Sequence, residues 1–261
     1  MHGQPPDAFP VLAARPGWAA VDLISDLHLQ AEQPATFSAF RHHLQSTPAD
    51  AVLVLGDLFE AWVGDDAAIE PGFAADCAAV LRQASARRPV YFMPGNRDFL
   101  LGPDMAARCG MGLLSDPTVL VFGGRRWLLS HGDILCLADT AYQRFREQVH
   151  APEWIAHFLR KPLVQREALA RQMREASRVH QQALPAYADL DPEAVRRWLV
   201  AAGAGTMIHG HTHHPADHDL GDGLRRLVLS DWDLEPTAVA PRAQVMRLHA
   251  DAAPERIDLT A

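Results

Sequence analysis

Short apolar runs recur along the chain at residues 20–24, 51–55, 90–93, 119–122, 127–130, 206–209 and 224–229. Their length and aliphatic content predict strands. Between them, residues 36–45 and 73–85 space their apolar side chains at three- and four-residue intervals, which predicts amphipathic helices. Alternation of this kind implies an α/β layered fold. The last third differs, because 224–229 and 243–248 follow one another closely as strands and suggest a second sheet. Residues 139–200 carry no strand pattern and many helix formers. No repeat, low-complexity tract or Gly/Ser-rich linker divides the chain, so residues 1–261 read as a single domain with a helical insertion at about 139–190.

Composition narrows the classes. Asp and Glu number 32 against 24 Lys and Arg, a formal charge of −8, which argues against a general nucleic-acid binder. No clean apolar run exceeds five residues, the length of 51–55, far short of the roughly 18–20 residues of a spanning helix. The first twenty residues lack the continuous apolar stretch of a secretory signal. Three cysteines, without paired spacing, indicate a reduced compartment. Within this acidic chain the stretch 153–178 is net positive, with Arg160, Lys161, Arg166, Arg171, Arg174 and Arg178 against Glu153, Glu167 and Glu175. It also carries Trp154, Ile155, Phe158, Leu159, Leu163 and Val164. Two readings fit, a helical pair with a solvated basic face, or a cap over a site for an anionic, partly apolar ligand.

The chemistry-bearing residues sit where the predicted strands end. The ends read Ser25-Asp26-Leu27-His28, Gly56-Asp57, Gly95-Asn96-Arg97-Asp98, His131-Gly132-Asp133 and His209-Gly210-His211-Thr212-His213. Loops beyond the carboxyl ends of strands hold side chains on a rigid frame. Asp26 and His28, and likewise His211 and His213, are expected to point the same way on extended backbone. Singly each motif is a turn or a helix cap. Together, mixed oxygen and nitrogen donors at successive strand ends have little use unless a cation offsets their repulsion and desolvation. Cysteine is missing from the set, which argues against a structural zinc knuckle. Two carboxylates, a carboxamide and several imidazoles suit two divalent cations of the manganese, iron or zinc type, with one carboxylate bridging. Such a pair generates a hydroxide and clamps a phosphoryl oxygen during in-line displacement.

In this order, Asp-x-His, Gly-Asp, Gly-Asn-x-Asp, His-Gly-Asp and Gly-His-Thr-His resemble the signature of calcineurin-like metallophosphoesterases. The resemblance implies two mixed β-sheets flanked by helices. It implies one metal on Asp26, His28, Asp57 and His213, and another on Asp57, Asn96, His131 and His211, with Asp57 bridging. His209 matches no ligand position and is expected to be structural. Closer wording is similar to the UDP-2,3-diacylglucosamine pyrophosphatases of lipid A synthesis. It lies in Gly-Asp-Leu-Phe-Glu-Ala-Trp-Val-Gly-Asp-Asp at 56–66, the segments 95–102, 131–136 and 141–146, and Leu-Ser-Asp-Trp at 229–232.

That family implies a UDP-linked diacylated glucosamine lipid as substrate, manganese as the metal, and a monomer at the cytoplasmic face of the inner membrane. Asn96, Arg97, Asp57 and His131 would be catalytic. Arg97 stands where broader relatives usually have His, and its fixed charge would hold phosphate oxygens. Its structural alternative is a salt bridge to Asp98. Asp139, Tyr142, Arg174 and Ser177 occupy positions of substrate contact, with helix caps and exposed polar positions as their bland alternatives. Trp62, Phe158 and Leu159 would meet acyl chains. Residues 178–186 depart from the family's pattern. A general nucleotide or UDP-sugar phosphohydrolase, or a non-catalytic scaffold of the same fold, are the rival readings.

Overall fold

The computed structural model describes residues 3–183 and 189–260, so residues 184–188, which overlap the departing 178–186 stretch, lie outside the described residues. Among the described residues, twelve strands form two mixed six-stranded sheets. One sheet is built on β2 (Ala20–Ile24), β3 (Ala51–Leu55) and β4 (Val90–Met93), which run parallel. β5 (Gly112–Leu113) extends it on one side, and β11 (Gln244–His249) and β12 (Glu255–Asp258) add antiparallel on the other. The second sheet contains β1 (Val11–Ala13), β6 (Thr118–Phe122), β7 (Arg125–Leu129), β8 (Thr206–His209), β10 (Leu224–Val228) and β9 (Asp217–Gly221), in that spatial order.

The pleat explains why β3 is apolar at every position. Alternate side chains point to opposite faces of a strand. Ala51, Leu53 and Leu55 meet Leu120, Leu129 and Ile208 of the other sheet, while Val52 and Val54 turn outward to the helices. Those helices are α1 (Pro34–Ser46), α2 (Phe73–Ser85) and α3 (Pro103–Cys109), which bury Phe40, Leu44, Leu81 and Met105. On the far side α7 (Pro192–Ala202) packs Val195, Trp198 and Leu199 over the second sheet. Pro at N1 starts α7, Asp191 caps it by accepting from the Ala194 amide at 2.7 Å, and left-handed Gly203 ends it. Between β7 and α7 run α4 (Thr140–Val149), α5 (Pro152–Leu159) and α6 (Leu163–Ala183).

One expectation is corrected. The strands expected at 224–229 and 243–248 do not share a sheet, because the first lies beside β8 and the second beside β2. The intervening loop crosses the rim, where the Trp232 amide donates to the Asp26 carbonyl at 3.0 Å.

Candidate metal centre and the cavity beside it

The loops after β2, β3, β4, β7 and β8 meet at one rim. Backbone hydrogen bonds lock them together: the Asp26 amide donates to the Gly56 carbonyl at 3.1 Å, His28 to Asp57 at 3.0 Å, and Gly210 to His131 at 3.0 Å. Asp26, His28, Asp57, His211 and His213 all adopt positive φ, between 48° and 66°. They are therefore not on extended backbone as expected. Non-glycine residues rarely occupy this region, and it concentrates at functional sites. Two neighbouring glycines are required by closeness. A Cβ on Gly95 would lie 2.2 Å from Asp57 Oδ1, and one on Gly210 2.2 Å from Asp26 Oδ2.

Asp98 holds this arrangement from beneath. It is fully buried and accepts from the amides of Gly95 (2.8 Å), Asp57 (3.2 Å), Leu58 (2.7 Å) and Phe59 (3.3 Å). With its carboxylate given to backbone, Asp98 is the clamp of two ligand-bearing loops and not the salt-bridge partner suggested for Arg97. The Arg97 amide donates instead to Asp57 Oδ1 at 2.8 Å, and its side chain lines the cavity described below.

The seven predicted ligand residues gather in two overlapping groups. In the first, Nε2 of His28 and Nε2 of His213 lie 3.2 Å apart, His213 Nε2 is 3.3 Å from Asp26 Oδ1, and His28 Nε2 is 4.0 Å from Asp57 Oδ2. In the second, Asn96 Oδ1 lies 2.9 Å from both His131 Nε2 and His211 Nδ1, and His131 Nε2 is 3.7 Å from Asp57 Oδ1. The two oxygens of Asp57 thus face different groups. His131 is oriented by its Nδ1, 2.9 Å from the Leu55 carbonyl, and by its amide, which donates to Asp116. His209 stands apart, fully buried with Nδ1 against the Gly210 carbonyl, and burial pushes its imidazole down to about 4.

Electrostatically the centre calls for positive charge. Burial alone would raise the Asp26 carboxyl, yet His213, His131 and His28 hold it well below the usual range. Burial opposes charge on His131, but Asp57, Asp26 and Asp133 raise it to about 9, and Glu60, Asp57 and Asp26 raise His28 in the same way. His211 goes the other way, to about 3, through burial and the charge of His131. Buried carboxylates and imidazole nitrogens crowded to these distances fit divalent cations.

A cavity of about 430 Å³ opens beside the centre. Asn96, Arg97 and His211 line it together with Glu60, Asp139, Tyr142, Arg174 and Ser177. Its apolar wall includes Trp62, Phe99, Phe145, Val149, Trp154, Phe158 and Met173, drawn from the β3 and β4 loops and from α4, α5 and α6. Leu159 does not line it; 40% exposed, it approaches Gly64 instead. Asp139 also caps α4, accepting from the Tyr142 amide at 2.9 Å.

Several residues of the site had no assigned role in the sequence. Glu60 lies 3.0 Å from His28 Nδ1 and 3.2 Å from the Arg174 guanidinium. Asp133 accepts from the Tyr142 hydroxyl at 2.5 Å and from Arg146 Nε at 2.7 Å, and Tyr142 stacks near His211. His150 stacks on Phe99 at 4.5 Å, and burial with Arg146 nearby pushes it down to about 4. Glu60 and Arg146 fall inside the family-like segments 56–66 and 141–146, a signal that could have found them but assigned neither a role.

A family model described as calcineurin-like phosphoesterase matches residues 20–215. The UDP-2,3-diacylglucosamine hydrolase of Chromobacterium violaceum is 46% identical over 222 residues, covering 82% of this chain and 90% of that protein. The protein of the same name from Xanthomonas axonopodis pv. citri is 44% identical over 245 residues, covering 88% and 95%. Agreement over nearly the full length of both relatives, together with two mixed sheets whose loops converge on the predicted ligands, means that the chain belongs to the calcineurin-like phosphoesterase family, in the branch of the UDP-2,3-diacylglucosamine hydrolases.

Proposed function

We propose that this chain hydrolyses the pyrophosphate bond of UDP-2,3-diacylglucosamine, releasing UMP and 2,3-diacylglucosamine 1-phosphate in lipid A synthesis. The observation that carries the reading is the shared wall. The cavity's apolar residues continue directly into Asn96, Arg97 and His211, so one ligand can meet both aromatic side chains and the metal centre. A phosphorylated, diacylated sugar has both chemistries, whereas a nucleotide alone would leave the aliphatic Leu100, Val149 and Met173 of the wall unmatched. The names of the relatives support the same substrate.

Asp26, His28, Asp57 and His213 would hold one divalent ion, and Asp57, Asn96, His131 and His211 the other, with manganese as the metal and Asp57 between them. Bound there, two such ions lower the pKa of water and offset charge on phosphoryl oxygens. The protein's own part is positioning. Arg97 offers a planar, permanently charged fork to phosphate oxygens as charge develops. Tyr142, held by Asp133, orients its hydroxyl beside His211. The helices α4, α5 and α6 act as a cap whose aromatic face excludes water from the cavity and takes the acyl chains.

We further propose that the protein lies against the cytoplasmic face of the inner membrane as a monomer. No helix among the described residues is long and apolar enough to cross a membrane. Exposed Phe145, Leu159 and Val164 stand on the cap beside Arg160 and Lys161, a mixture suited to an anionic lipid surface.

Release of UMP from UDP-2,3-diacylglucosamine with Mn2+ present tests the assignment. Turnover that a chelator abolishes and Mn2+ restores is expected. A folded protein that cleaves simple phosphodiesters but never this substrate would overturn it.

A further inference from the structure

We infer that Glu60 is a positioning residue shared by the metal centre and the cap: one carboxylate oxygen fixes the His28 imidazole while the other holds Arg174 of α6, so that cation binding and docking of α6 reinforce each other. The inference rests on the metal reading above and adds a route by which the centre senses the cap.

The backbone makes the Glu60–His28 pair rigid. Leu29 and Phe59 form a parallel bridge, the Leu29 amide donates to Leu58 at 2.9 Å, and the Glu60 amide donates to the Leu29 carbonyl at 3.3 Å. The residues next to His28 and to Glu60 are therefore stitched to one another. On this frame Oε2 of Glu60 lies 3.0 Å from His28 Nδ1, and Oε1 lies 3.2 Å from the guanidinium of Arg174. All three side chains are largely buried, with relative exposures of 23% for Glu60, 16% for His28 and 30% for Arg174.

A ligating imidazole donates its second ring N–H to an acceptor that fixes the tautomer and raises its basicity. The other oriented ligand, His131, uses the Leu55 carbonyl, a neutral acceptor. Beside His28 Nδ1 stands a full carboxylate, 3.0 Å away as a charge contact outside hydrogen-bond geometry, and that carboxylate also faces a helix 114 residues away in sequence. A cation on Nε2 of His28 strengthens the Nδ1–H···Glu60 contact and immobilises Glu60. An immobilised Glu60 is a better partner for Arg174, because less side-chain freedom remains to be lost. Coupling of this kind is reciprocal, so a docked α6 must tighten the cation by the same factor.

The test uses the full chain and Mn2+ alone. Calorimetry counts and ranks the bound ions, and amide exchange follows residues 163–175 with and without Mn2+. In the wild type two ions bind and exchange in 163–175 slows when they do. Glu60→Gln, of the same shape, should weaken one ion by about 10–100-fold and abolish the slowing. Arg174→Gln should keep both ions, with a small loss of affinity, and also abolish the slowing. Wild-type affinity in Glu60→Gln, or equal slowing in all three proteins, overturns the role given to Glu60. A wild type that binds no Mn2+ overturns the metal reading beneath it instead.

Discussion

Nε2 of His28 and Nε2 of His213 face each other at 3.2 Å, with Asp26 Oδ1 within 3.3 Å of the second nitrogen. Two ring nitrogens at this separation need something positive between them, a proton or a metal ion. The surrounding carboxylates draw a proton onto His28, and they raise His131 to about 9. A metal ion must displace those protons, because only the neutral imidazole is a ligand. Mn2+ binding is therefore expected to release protons and to strengthen as pH rises from 6 to 9. Calorimetry in two buffers of different ionisation enthalpy measures the released protons directly, and His131→Ala should reduce their number. A Mn2+ concentration 100 times its dissociation constant stabilises the fold by about 2.7 kcal/mol per independent site, which a thermal melt against chelator detects.

Four backbone amides from the two loops that carry Asp57 and Asn96 end on the Asp98 carboxyl group. Asp98→Asn keeps the shape and replaces one acceptor oxygen with an NH2 that faces N–H donors. A buried donor left unpaired costs about 1–3 kcal/mol. A loss of about 3 kcal/mol in unfolding free energy is expected from denaturant titration, together with weakened Mn2+ binding. Unchanged Mn2+ affinity would mean that the loops keep their places without the clamp.

Much of this was legible in the chain, and the exceptions have physical causes. A run such as Val-Leu-Val-Leu at 52–55 reads as a strand because both of its faces are buried. α2 begins and ends where its apolar spacing does. β9 and β12 did not announce themselves, since Asp217–Gly221 and Glu255–Asp258 are polar, partly exposed strands held by pairing rather than burial. Which residues gather at the rim was readable from their order. How they point was not, because the left-handed backbone at Asp26, His28 and Asp57 is imposed by bonds between loops distant in sequence. Glu60, Asp98 and Asp133 resemble ordinary surface or turn acids until the fold gives each a named partner.

Arg97 presents its guanidinium to the cavity while its own amide grips Asp57 Oδ1. Arg97→Ala leaves that amide bond in place and removes only the charge. Loss of one donor aimed at developing charge costs roughly 10²–10³ in kcat. UMP release should fall by that factor with metal content unchanged. Arg97→Lys should recover only part of it, since a point charge cannot reproduce two parallel N–H···O bonds. A fall in metal content to match the fall in rate would place Arg97 in the framework instead.

Arg166 fastens the cap to the core. It is 2% exposed and bridges the Val63 carbonyl, the Lys161 carbonyl at 2.9 Å, and the Asp66 carboxylate on both oxygens. Arg166→Met fills similar space but leaves the Val63 and Lys161 carbonyls without this donor, a cost of about 1–3 kcal/mol for a buried group. Among the described residues α5 and α6 place only Phe158 within the buried core, with Trp154, Ile155, Leu163, Leu169 and Ala170 partly buried against it, so this loss should appear as local opening. Faster amide exchange and faster proteolysis across 152–175 are expected, with protection of β3 and β8 unaltered. Equal acceleration in the sheets would mean that cap and core unfold together.

A second buried charge, remote from the ligands, sets the acid limit of the fold. Asp22 is fully buried on β2 and meets Arg247 Nε at 2.7 Å, Thr47 at 2.5 Å and His43 at 3.3 Å. Burial would raise its carboxyl, but His43, Arg247 and Thr47 together bring it down to about 2 from 3.8. A depressed carboxyl contributes stability above the unfolded value and loses it as pH falls through the folded one. The contribution is therefore complete above about pH 4 and gone near pH 2. A tenfold tighter hold on a proton corresponds to about 1.36 kcal/mol, so this carboxylate contributes about 2 kcal/mol across that window. Asp22→Asn should be destabilised at neutral pH by about 3–5 kcal/mol, since it leaves the largely buried Arg247 without its charge partner. Its stability should also fall less steeply between pH 4 and 2 than that of the wild type. Urea titrations at pH 7, 4, 3 and 2 compare the two slopes, and parallel curves would show that Asp22 takes up its proton equally in both states.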